Sequence, residues 1–277
     1  PVGLPKTTVV GLPDAAVRES VERVRTALLN SGYRFPQHRI TLNLAPADVR
    51  KEGPVYDLPI AVALLLADRT IDPPSAPDPD GGQPDVRHSV IAGELALDGR
   101  VRPIKGAISL ALLARSRGAR GVIVARENAA EAAVVDEVEV LGVSTLSEVV
   151  GLLNGELDIE PHPPVDFEGL MAARRPPVDF GDVRGQEAAK RALLIAAAGG
   201  HNLVMLGPPG TGKTMMARAL PGILPPLTRE EALAVTRIYS CAGKMPSGQP
   251  LMLERPVRSP HHTASSAAIR SEEHTSE

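Results

Sequence analysis

The segment from Val204 to Thr214, VMLGPPGTGKT, has the spacing of a phosphate-binding loop, G-x-x-x-x-G-K-[ST], also called Walker A. Glycine lacks a Cβ, so Gly207 and Gly212 allow backbone angles that turn several amide N–H groups toward phosphate oxygens. The Lys213 ammonium adds a positive charge for the β- and γ-phosphates, and the Thr214 hydroxyl can hold Mg²⁺ through the nucleotide. The spacing predicts a site for ATP and Mg²⁺. The predicted nucleotide-binding residues of this loop are Gly207, Pro208, Pro209, Gly210, Thr211, Gly212, Lys213 and Thr214.

The elements on either side of the loop decide between this interpretation and a glycine-rich turn that binds nothing. An apolar run from His201 to Leu206 predicts a short buried strand, and Met215 to Leu220 predicts a helix closed by Pro221 and Gly222. Because the motif requires a strand before it and a helix after it, the pattern favours nucleotide binding. Hydrolysis is a separate question, since it also needs an acidic Walker B residue and an arginine from a neighbouring subunit. We expect this chain to lack both.

Composition limits the classes of protein to consider. The 277 residues are 43% hydrophobic, which supports a packed core in one large domain or two ordinary ones. Aromatic residues are only 2%, too few to build a base-stacking platform for single-stranded nucleic acid. The single Cys241 excludes an internal disulfide and a cysteine zinc cluster, which predicts a cytoplasmic protein. No apolar run or leader pattern predicts a membrane partner. Because the sequence begins with Pro1, we expect the natural start to lie upstream.

The first 155 residues mix helical and strand patterns and predict an α+β domain. Asp14 is placed to cap a helix that runs to Asn30. Asp98 and Gly99 predict a hairpin turn, with the return strand beginning at Val101. The remaining predicted elements are strands at 39–44, 89–96, 121–125 and 138–140 and helices at 58–67 and 104–116.

Prolines cluster between residues 156 and 178, which predicts a linker with one helical turn at 167–173. A second domain is expected at 179–270, where a helix from Glu187 to Ala198 leads into the strand before the phosphate loop. Thr228 and Glu231 have the spacing of a capping box, so a helix is predicted from Arg229 to about Thr236.

Several sequence strings together resemble one protein family. The order DFGDVRGQ (179–186), helix, strand and GPPGTGKT resembles the start of an AAA+ ATPase module. The strings ALAVTRIYSCAG (232–243) and RPVRSPHHTAS (255–265), with VVGLPDAAVRESVERVRTALLNSGYRFP (9–36), resemble the magnesium-chelatase-like AAA+ ATPases of the YifB/ComM family. The resemblance runs over residues 3–269. It implies that Val183, Gly185 and Gln186 lie near the adenine of the nucleotide.

The resemblance also implies a fold for each domain. Residues 1–155 are similar to the Lon protease C-terminal domain, a ribosomal-S5-domain-2-like α+β fold, and 179–270 form a truncated α/β P-loop AAA+ domain. Lon-type proteolysis needs a serine and a lysine, whose positions fall on Val55 and Ile108. Neither side chain can perform that chemistry, so we expect no peptidase activity. A shifted pair of Lys105 and Ser109 is the less favoured alternative.

By resemblance, the native protein is expected to be a homo-oligomeric ring, a hexamer, that hydrolyses ATP to drive DNA branch migration or unwinding in recombination or competence. A magnesium-chelatase-type ATPase chaperone and a relative of the ATP-dependent proteases are the alternatives. The resemblance implies that 271–277 are a non-native tail, because the family continues differently after residue 270.

Several other polar residues invite a functional interpretation. The pair His261 and His262 lacks the further ligands of a zinc site. The segment containing them and Arg258 is expected either to face the ring pore, a neighbour or DNA, or to pack as a structural loop, with equal weight. Asp57 could pair with Glu94 as catalytic carboxylates, but a helix-capping role is favoured.

Two basic clusters are expected to be solvated faces rather than DNA-binding sites, and Cys241 is expected to be a small buried hydrophobe. The clustered arginines are Arg23, Arg25 and Arg34 in one group and Arg115, Arg117 and Arg120 in the other.

Overall fold

A computed structural model describes residues 6–46, 48–72, 84–176, 178–246 and 248–258. The chain forms two compact units. The first contains the residues up to Phe167 together with Thr236–Leu251, and the second contains Glu168–Val235 and the residues from Met252 onward. Among the described residues, no helix combines the length and apolar character needed to cross a membrane.

The first unit mixes helices and strands, as the sequence predicts, and most of its strand pairs are parallel. β1 and β2 form a parallel pair, β3, β6 and β7 form a parallel sheet in the order β3-β6-β7, and β4 pairs antiparallel with β5. Its strands are β1 (Lys6–Val10), β2 (Arg39–Asn43), β3 (Ser89–Ile91), β4 (Glu94–Leu95), β5 (Val101–Arg102), β6 (Gly121–Ala125) and β7 (Glu139–Val143). Its helices are α1 (Ala15–Asn30), α2 (Asp57–Ala67), α3 (Ala107–Ser116), α4 (Arg126–Ala132) and α5 (Leu146–Leu153).

Helix α1 begins where the sequence predicts. Asp14 is its N-cap, and its carboxylate accepts a hydrogen bond of 2.7 Å from the Val17 backbone N–H. This interaction lowers the pKa of Asp14, because the backbone N–H stabilises the ionised carboxylate. Val17, Val24 and Leu28 are buried along one face of the helix. The cap and the apolar stripe together fix how α1 packs on the core.

The predicted strand at 89–96 is wrong as a single element. Ile91 is the last residue of β3, and the chain then passes through Ala92 and Gly93 into the separate strand β4. Gly93 lies close to other chain segments: a Cβ there would be 2.9 Å from Val101 Cγ1 and 3.2 Å from Leu58 Cδ2. The break lets the chain leave one sheet and begin the hairpin with β5, whose turn at Asp98 and Gly99 is confirmed.

The main core of the first unit is aliphatic, as the low aromatic content requires. It joins α1 and α2 to the inner faces of the strands and to α5. Its fully buried larger side chains include Leu28, Leu58, Leu65, Leu95, Ile123, Leu146 and Leu153. Strand β1 and helices α4 and α5 were not predicted from the sequence, and α3 begins three residues later than predicted. Gly106, with a φ of 79°, immediately precedes α3.

The second unit is helical in its described part. It contains most of α6 (Phe167–Ala173), α7 (Glu187–Gly199), α8 (Lys213–Ile223) and the first half of α9 (Arg229–Cys241). Its small core consists of Val183, Leu193, Met216 and Ala219. The prediction that Pro221 and Gly222 close α8 is wrong, because both lie inside its last turn. Helix α9 is five residues longer than predicted, and its last residues, from Thr236, belong to the first unit.

The capping box at the start of α9 is confirmed in both directions. The Glu231 N–H donates to the Thr228 hydroxyl oxygen at 3.2 Å, and the Thr228 N–H donates to the Glu231 carboxylate at 3.0 Å. Arg255 also donates to that carboxylate at 2.9 Å. These contacts lower the pKa of Glu231, with the Thr228 backbone N–H as the largest cause.

Candidate functional site

The loop at 207–214 joins α7 to α8 through glycines in left-handed conformations. Gly210 and Gly212 both have a φ of 81°, which an L side chain rarely adopts, and Gly212 is the N-cap of α8. In the described part of the chain, the backbone N–H groups of Gly210 and Gly212 have no acceptor, whereas residues 209 and 210 form a hydrogen-bonded turn that engages the Thr211 N–H. Free N–H groups at the positive end of a helix form the kind of site that holds a phosphate.

Lys213 is held inside this loop by neutral oxygen atoms. Its ammonium donates to the carbonyls of Gly207 at 2.7 Å and Pro208 at 2.6 Å, and to the Thr211 hydroxyl at 3.2 Å. The Thr211 hydroxyl in turn donates to the Pro208 carbonyl at 2.9 Å. Within the described residues, Lys213 makes no ion pair. Its charge is therefore not neutralised by a carboxylate, and an anion would compete for the ammonium with two carbonyls and one hydroxyl.

A cavity of about 360 Å³ lies beside the loop within the second unit. This volume falls in the usual range for small-molecule sites, and none of the lining side chains is a carboxylate. Four loop residues contribute one wall, and α7, α8 and the chain before the loop contribute the rest. The lining residues are Gln186, Ala189, Ala192, Leu203, Val204, Met205, Leu206, Gly207, Pro208, Thr211, Lys213 and Met216.

The structure brings only part of the predicted site into this cavity. Gln186, with a φ of 58°, lines it together with the loop. Val183 is instead in the core of the second unit, 4% exposed, and Gly185 is exposed outside the lining set. Four further loop residues, Pro209, Gly210, Gly212 and Thr214, do not line the cavity. Thr214 is exposed in the first turn of α8.

The strand predicted at 201–206 is wrong. These residues have no regular secondary structure, and no strand pairs with them among the described residues. Val204 is 83% exposed and Leu206 is 91% exposed, although Met205 packs against the core of the second unit. A strand needs a neighbour to accept and donate its backbone hydrogen bonds, and an apolar run alone does not supply one.

The donor set fits a magnesium polyphosphate. The free N–H groups of Gly210 and Gly212 and the Lys213 ammonium are all donors, and the first N–H groups of α8 lack partners within the helix. The Thr214 hydroxyl is accessible for a metal ion that accompanies the phosphates. Binding of the γ-phosphate and of Mg²⁺ remains a prediction at these residues.

The positions compared with a proteolytic dyad lie in the first unit. Val55 lies in a 3₁₀ turn, where its carbonyl accepts from the Gly93 N–H at 3.2 Å, and Ile108 is fully buried in α3. Lys105 is exposed, and no hydrogen bond joins it to Ser109 in the described part of the chain. The Ser109 hydroxyl lies instead 3.4 Å from the sulfur of Cys241.

The prediction that Cys241 is buried is wrong: it is exposed near the end of α9. Its neighbour Ser240 is buried and belongs to a polar network that the sequence analysis missed. The Gly106 N–H donates to the Ser240 hydroxyl oxygen at 2.9 Å, the Ser240 hydroxyl donates to the Glu131 carboxylate, and the Ile108 N–H donates to the same carboxylate at 2.9 Å. The network satisfies N–H groups at the start of α3.

Asp57 does not cap a helix, contrary to the prediction. It is the first residue of α2, fully buried, and its carboxylate makes no capping hydrogen bond. Arg23 binds it through two N–H groups, Nε to Oδ2 at 2.9 Å and Nη2 to Oδ1 at 3.1 Å, and the Leu95 N–H donates to Oδ2 at 3.2 Å. The hydrogen bond to the Asp57 carboxylate raises the pKa of Arg23.

Some arginines of the two predicted basic clusters have separate partners and others are exposed, so neither cluster forms a single patch of unpaired charge. Arg23 is paired with Asp57, and Arg25 lies over the Phe35 ring at 5.6 Å. Arg120 pairs with Glu139 at 3.2 Å, while Arg115 and Arg117 are exposed.

The histidine pair at 261 and 262 and the tail at 271–277 lie outside the described residues, and Arg258 is exposed. Within the described residues, no three His, Cys, Asp or Glu side chains are grouped as metal ligands.

Comparison with known proteins gives two matches to family models and several similar relatives. The family model described as "Subunit ChlI of Mg-chelatase" matches residues 2–128, and "Magnesium chelatase, subunit ChlI" matches residues 179–275. The uncharacterized protein YifB of Salmonella typhimurium is 46% identical over 267 residues, and the competence protein ComM of Haemophilus influenzae is 41% identical over 273 residues. Each alignment covers 96% of this chain and 50% of the relative.

A partial similarity extends to a protease. Lon protease 2 of Bacillus subtilis is 30% identical over 132 residues, which is 47% of this chain and 22% of that protein. The chain spans about half the length of the YifB and ComM relatives that it matches.

Proposed function

The chain belongs to the YifB/ComM family of magnesium-chelatase-like proteins, and we propose that it binds ATP with Mg²⁺ at residues 207–214. The observation that carries the proposal is the Lys213 ammonium, which lies among neutral oxygens beside the free N–H groups of Gly210 and Gly212. A polyphosphate supplies the negative charge that this arrangement lacks. Gln186, Ala189 and Met216 then offer polar and apolar contacts for the base at the other side of the cavity.

Each group has a distinct part in this proposal. The N–H groups of Gly210 and Gly212 bind phosphate oxygens, Lys213 neutralises charge on the outer phosphates, and Thr214 holds the metal ion. When bound, ATP supplies a transferable phosphoryl group whose charge Mg²⁺ helps to neutralise. Since the cavity lining has no carboxylate, hydrolysis would need acidic and arginine groups from outside this set.

We propose further that the full-length protein is a homo-oligomeric ATPase ring in the cytoplasm that acts on DNA, as a branch-migration or helicase motor. The ComM relative is a competence protein, which supports a role in DNA uptake or recombination. In this proposal residues 1–155 form a Lon-like domain, 156–178 a linker and 179–270 part of an AAA+ domain. Val183 and Gly185 support the nucleotide site indirectly, through the core and the turn before α7.

A chelatase-type ATPase chaperone is the second candidate, favoured by the two family models named for a magnesium-chelatase subunit. A peptidase is disfavoured because Val55 and Ile108 carry no nucleophile or base. ATPase turnover of the full-length protein, measured with branched DNA, a chelatase partner subunit or unfolded protein, separates the three. Stimulation by the chelatase partner alone would refute the DNA motor.

Isothermal titration calorimetry of the chain with MgATP tests the nucleotide site. Lys213→Ala removes one charged donor to the phosphates, and we expect it to weaken binding about 10- to 100-fold. Lys244→Ala is the matched control, because Lys244 is an exposed lysine outside the cavity. Equal affinities for the two variants, with unchanged circular dichroism, would show that the loop does not hold the phosphates.

A further inference from the structure

A second cavity, of about 530 Å³, lies in the first unit between β1, α1 and the chain that precedes β2. We call it the β1–α1 groove. It is lined by Lys6, Thr7, Thr8, Val9, Arg18, Val21, Glu22, Arg25, Phe35, Pro36, Gln37 and His38. None of these residues belongs to the nucleotide cavity or to the positions compared with a protease.

The lining of the groove carries an excess of positive charge. The lining contains three cations, Lys6, Arg18 and Arg25, and one carboxylate, Glu22. Within the described residues, none of the three permanent cations makes an ion pair. Arg23, on the same helix, is paired with Asp57. The groove is therefore the side of α1 on which the cations have no carboxylate partner among the described residues.

The spacing of the cations suits a ligand with several negative groups. Arg18 and Arg25 are seven residues apart on α1, which places them on one face about 10 Å apart along the axis. On β1, Lys6 and Thr8 share a strand face and are both exposed. A single small anion cannot sit beside all of these groups at once, whereas a chain of phosphates can.

One wall of the groove is fixed by an aromatic contact. The Arg25 guanidinium lies over the Phe35 ring at 5.6 Å, and Phe35 packs against the core of the first unit. A guanidinium stacked on a ring keeps its N–H edge available for a phosphate, and the stacking limits its motion. The hydroxyls of Thr7 and Thr8 and the Gln37 amide supply neutral donors nearby.

From this arrangement we infer that the β1–α1 groove binds the phosphodiester backbone of a single nucleic-acid strand. Because the contacts are charges and hydroxyls rather than stacked rings, binding is independent of base sequence and strongly dependent on salt. The low aromatic content excludes a stacking platform but not this mode of binding. The biological role of the groove rests on the proposed DNA-directed function. Strand binding itself is measured without ATP, so the result does not depend on the nucleotide site.

Fluorescence anisotropy of a labelled 20-nucleotide oligo-dT with the whole chain tests the inference. The double variant Arg18→Gln/Arg25→Gln removes two phosphate contacts, and we expect about tenfold weaker binding at low salt and a salt slope smaller by about 1.4. The matched control is Arg115→Gln/Arg117→Gln, which removes the same charge from exposed positions on and next to α3. Lys6→Gln/Arg18→Gln leaves the Arg25–Phe35 contact intact and serves if the first double variant misfolds.

Selective weakening by either groove variant supports the inference, and equal affinity of the groove and control variants overturns it. Tripolyphosphate and poly-glutamate are the comparison probes. If either one binds with dependence on Arg18 and Arg25 while oligo-dT does not, the groove takes a free polyphosphate or an acidic peptide and the inference is wrong. Performing the titration in the Lys213→Ala background separates this outcome from failure of the nucleotide site.

Discussion

Replacing Arg23 with methionine should strongly destabilise the first unit, because it leaves a buried carboxylate without its counter-charge. Asp57 is fully buried and accepts three N–H groups, two of them from Arg23. After Arg23→Met, only the Leu95 N–H remains bound to the carboxylate. The arginine also donates to the Ala16 carbonyl and the Ser20 hydroxyl, both at 3.0 Å, and these contacts are lost too.

The expected loss in the free energy of unfolding is about 3–5 kcal/mol, the usual cost of removing one partner of a buried ion pair. Domains have only about 5–15 kcal/mol of stability, so the variant would lose a large part of it. The double variant Arg23→Met/Asp57→Asn should recover at least about 1.5 kcal/mol, because the neutral amide that replaces the carboxylate removes the buried charge and can still accept from the Leu95 N–H.

Urea denaturation followed by far-ultraviolet circular dichroism gives the free energies, and hydrogen exchange of α1 and α2 assigns the loss to the first unit. Arg18→Met is the control on the same helix, because Arg18 is exposed and has no ion pair among the described residues. It should change stability by less than about 0.5 kcal/mol. The reasoning fails if Arg23→Met costs less than about 1 kcal/mol, or if the two substitutions are simply additive.

Two further predictions concern the cap of α9 and the loss of stability at low pH. Thr228→Ala should lower the free energy of unfolding, measured by urea titration, by about 1 kcal/mol, whereas Thr228→Ser should remain near the wild-type value. Equal stabilities of the Ala and Ser variants would exclude a stabilising cap at this position. Three carboxyl groups have pKa values below their ordinary ones in the folded state. The main causes are the Val17 N–H for Asp14 (ordinary value 3.8), the Arg87 side chain for Asp85 (3.8) and the Thr228 N–H for Glu231 (4.5). Their contribution is present above those ordinary values and is lost as pH falls through the lowered ones. The urea concentration at the midpoint of unfolding should therefore decrease as the pH is lowered below about 4, and it should decrease less steeply in Glu231→Gln. A midpoint that does not change with pH would contradict this prediction.

The parts of the fold that the sequence predicted well depend on residues close together in the chain. Asp14 and Val17, Thr228 and Glu231, and the turn at Asp98 are all local signals, and each is confirmed. The hydrogen bonds that define each of these features join residues two to four positions apart, so the sequence pattern itself contains both partners.

The wrong predictions concern residues whose environment comes from distant segments. The partner of Asp57 is 34 residues away, so a helix-start position suggested a cap where the structure has an ion pair. The apolar run before the phosphate loop suggested a strand, but strand pairing depends on a neighbour that the run does not contain. Spacing likewise predicted the loop, and the family resemblance implied that Gln186 lies near it, but neither could predict that the Lys213 ammonium binds the carbonyls of Gly207 and Pro208.

The two proposed anion sites differ in the physical origin of their attraction, and this difference separates them experimentally. At the phosphate loop, backbone N–H groups in fixed left-handed turns and a single ammonium contact one polyphosphate. In the β1–α1 groove, exposed Lys6, Arg18 and Arg25 act by charge in water, where each released counterion makes binding depend on salt. Raising the salt concentration should therefore release a nucleic-acid strand from the chain well before it releases a nucleotide, because the groove uses three cations and the loop uses one.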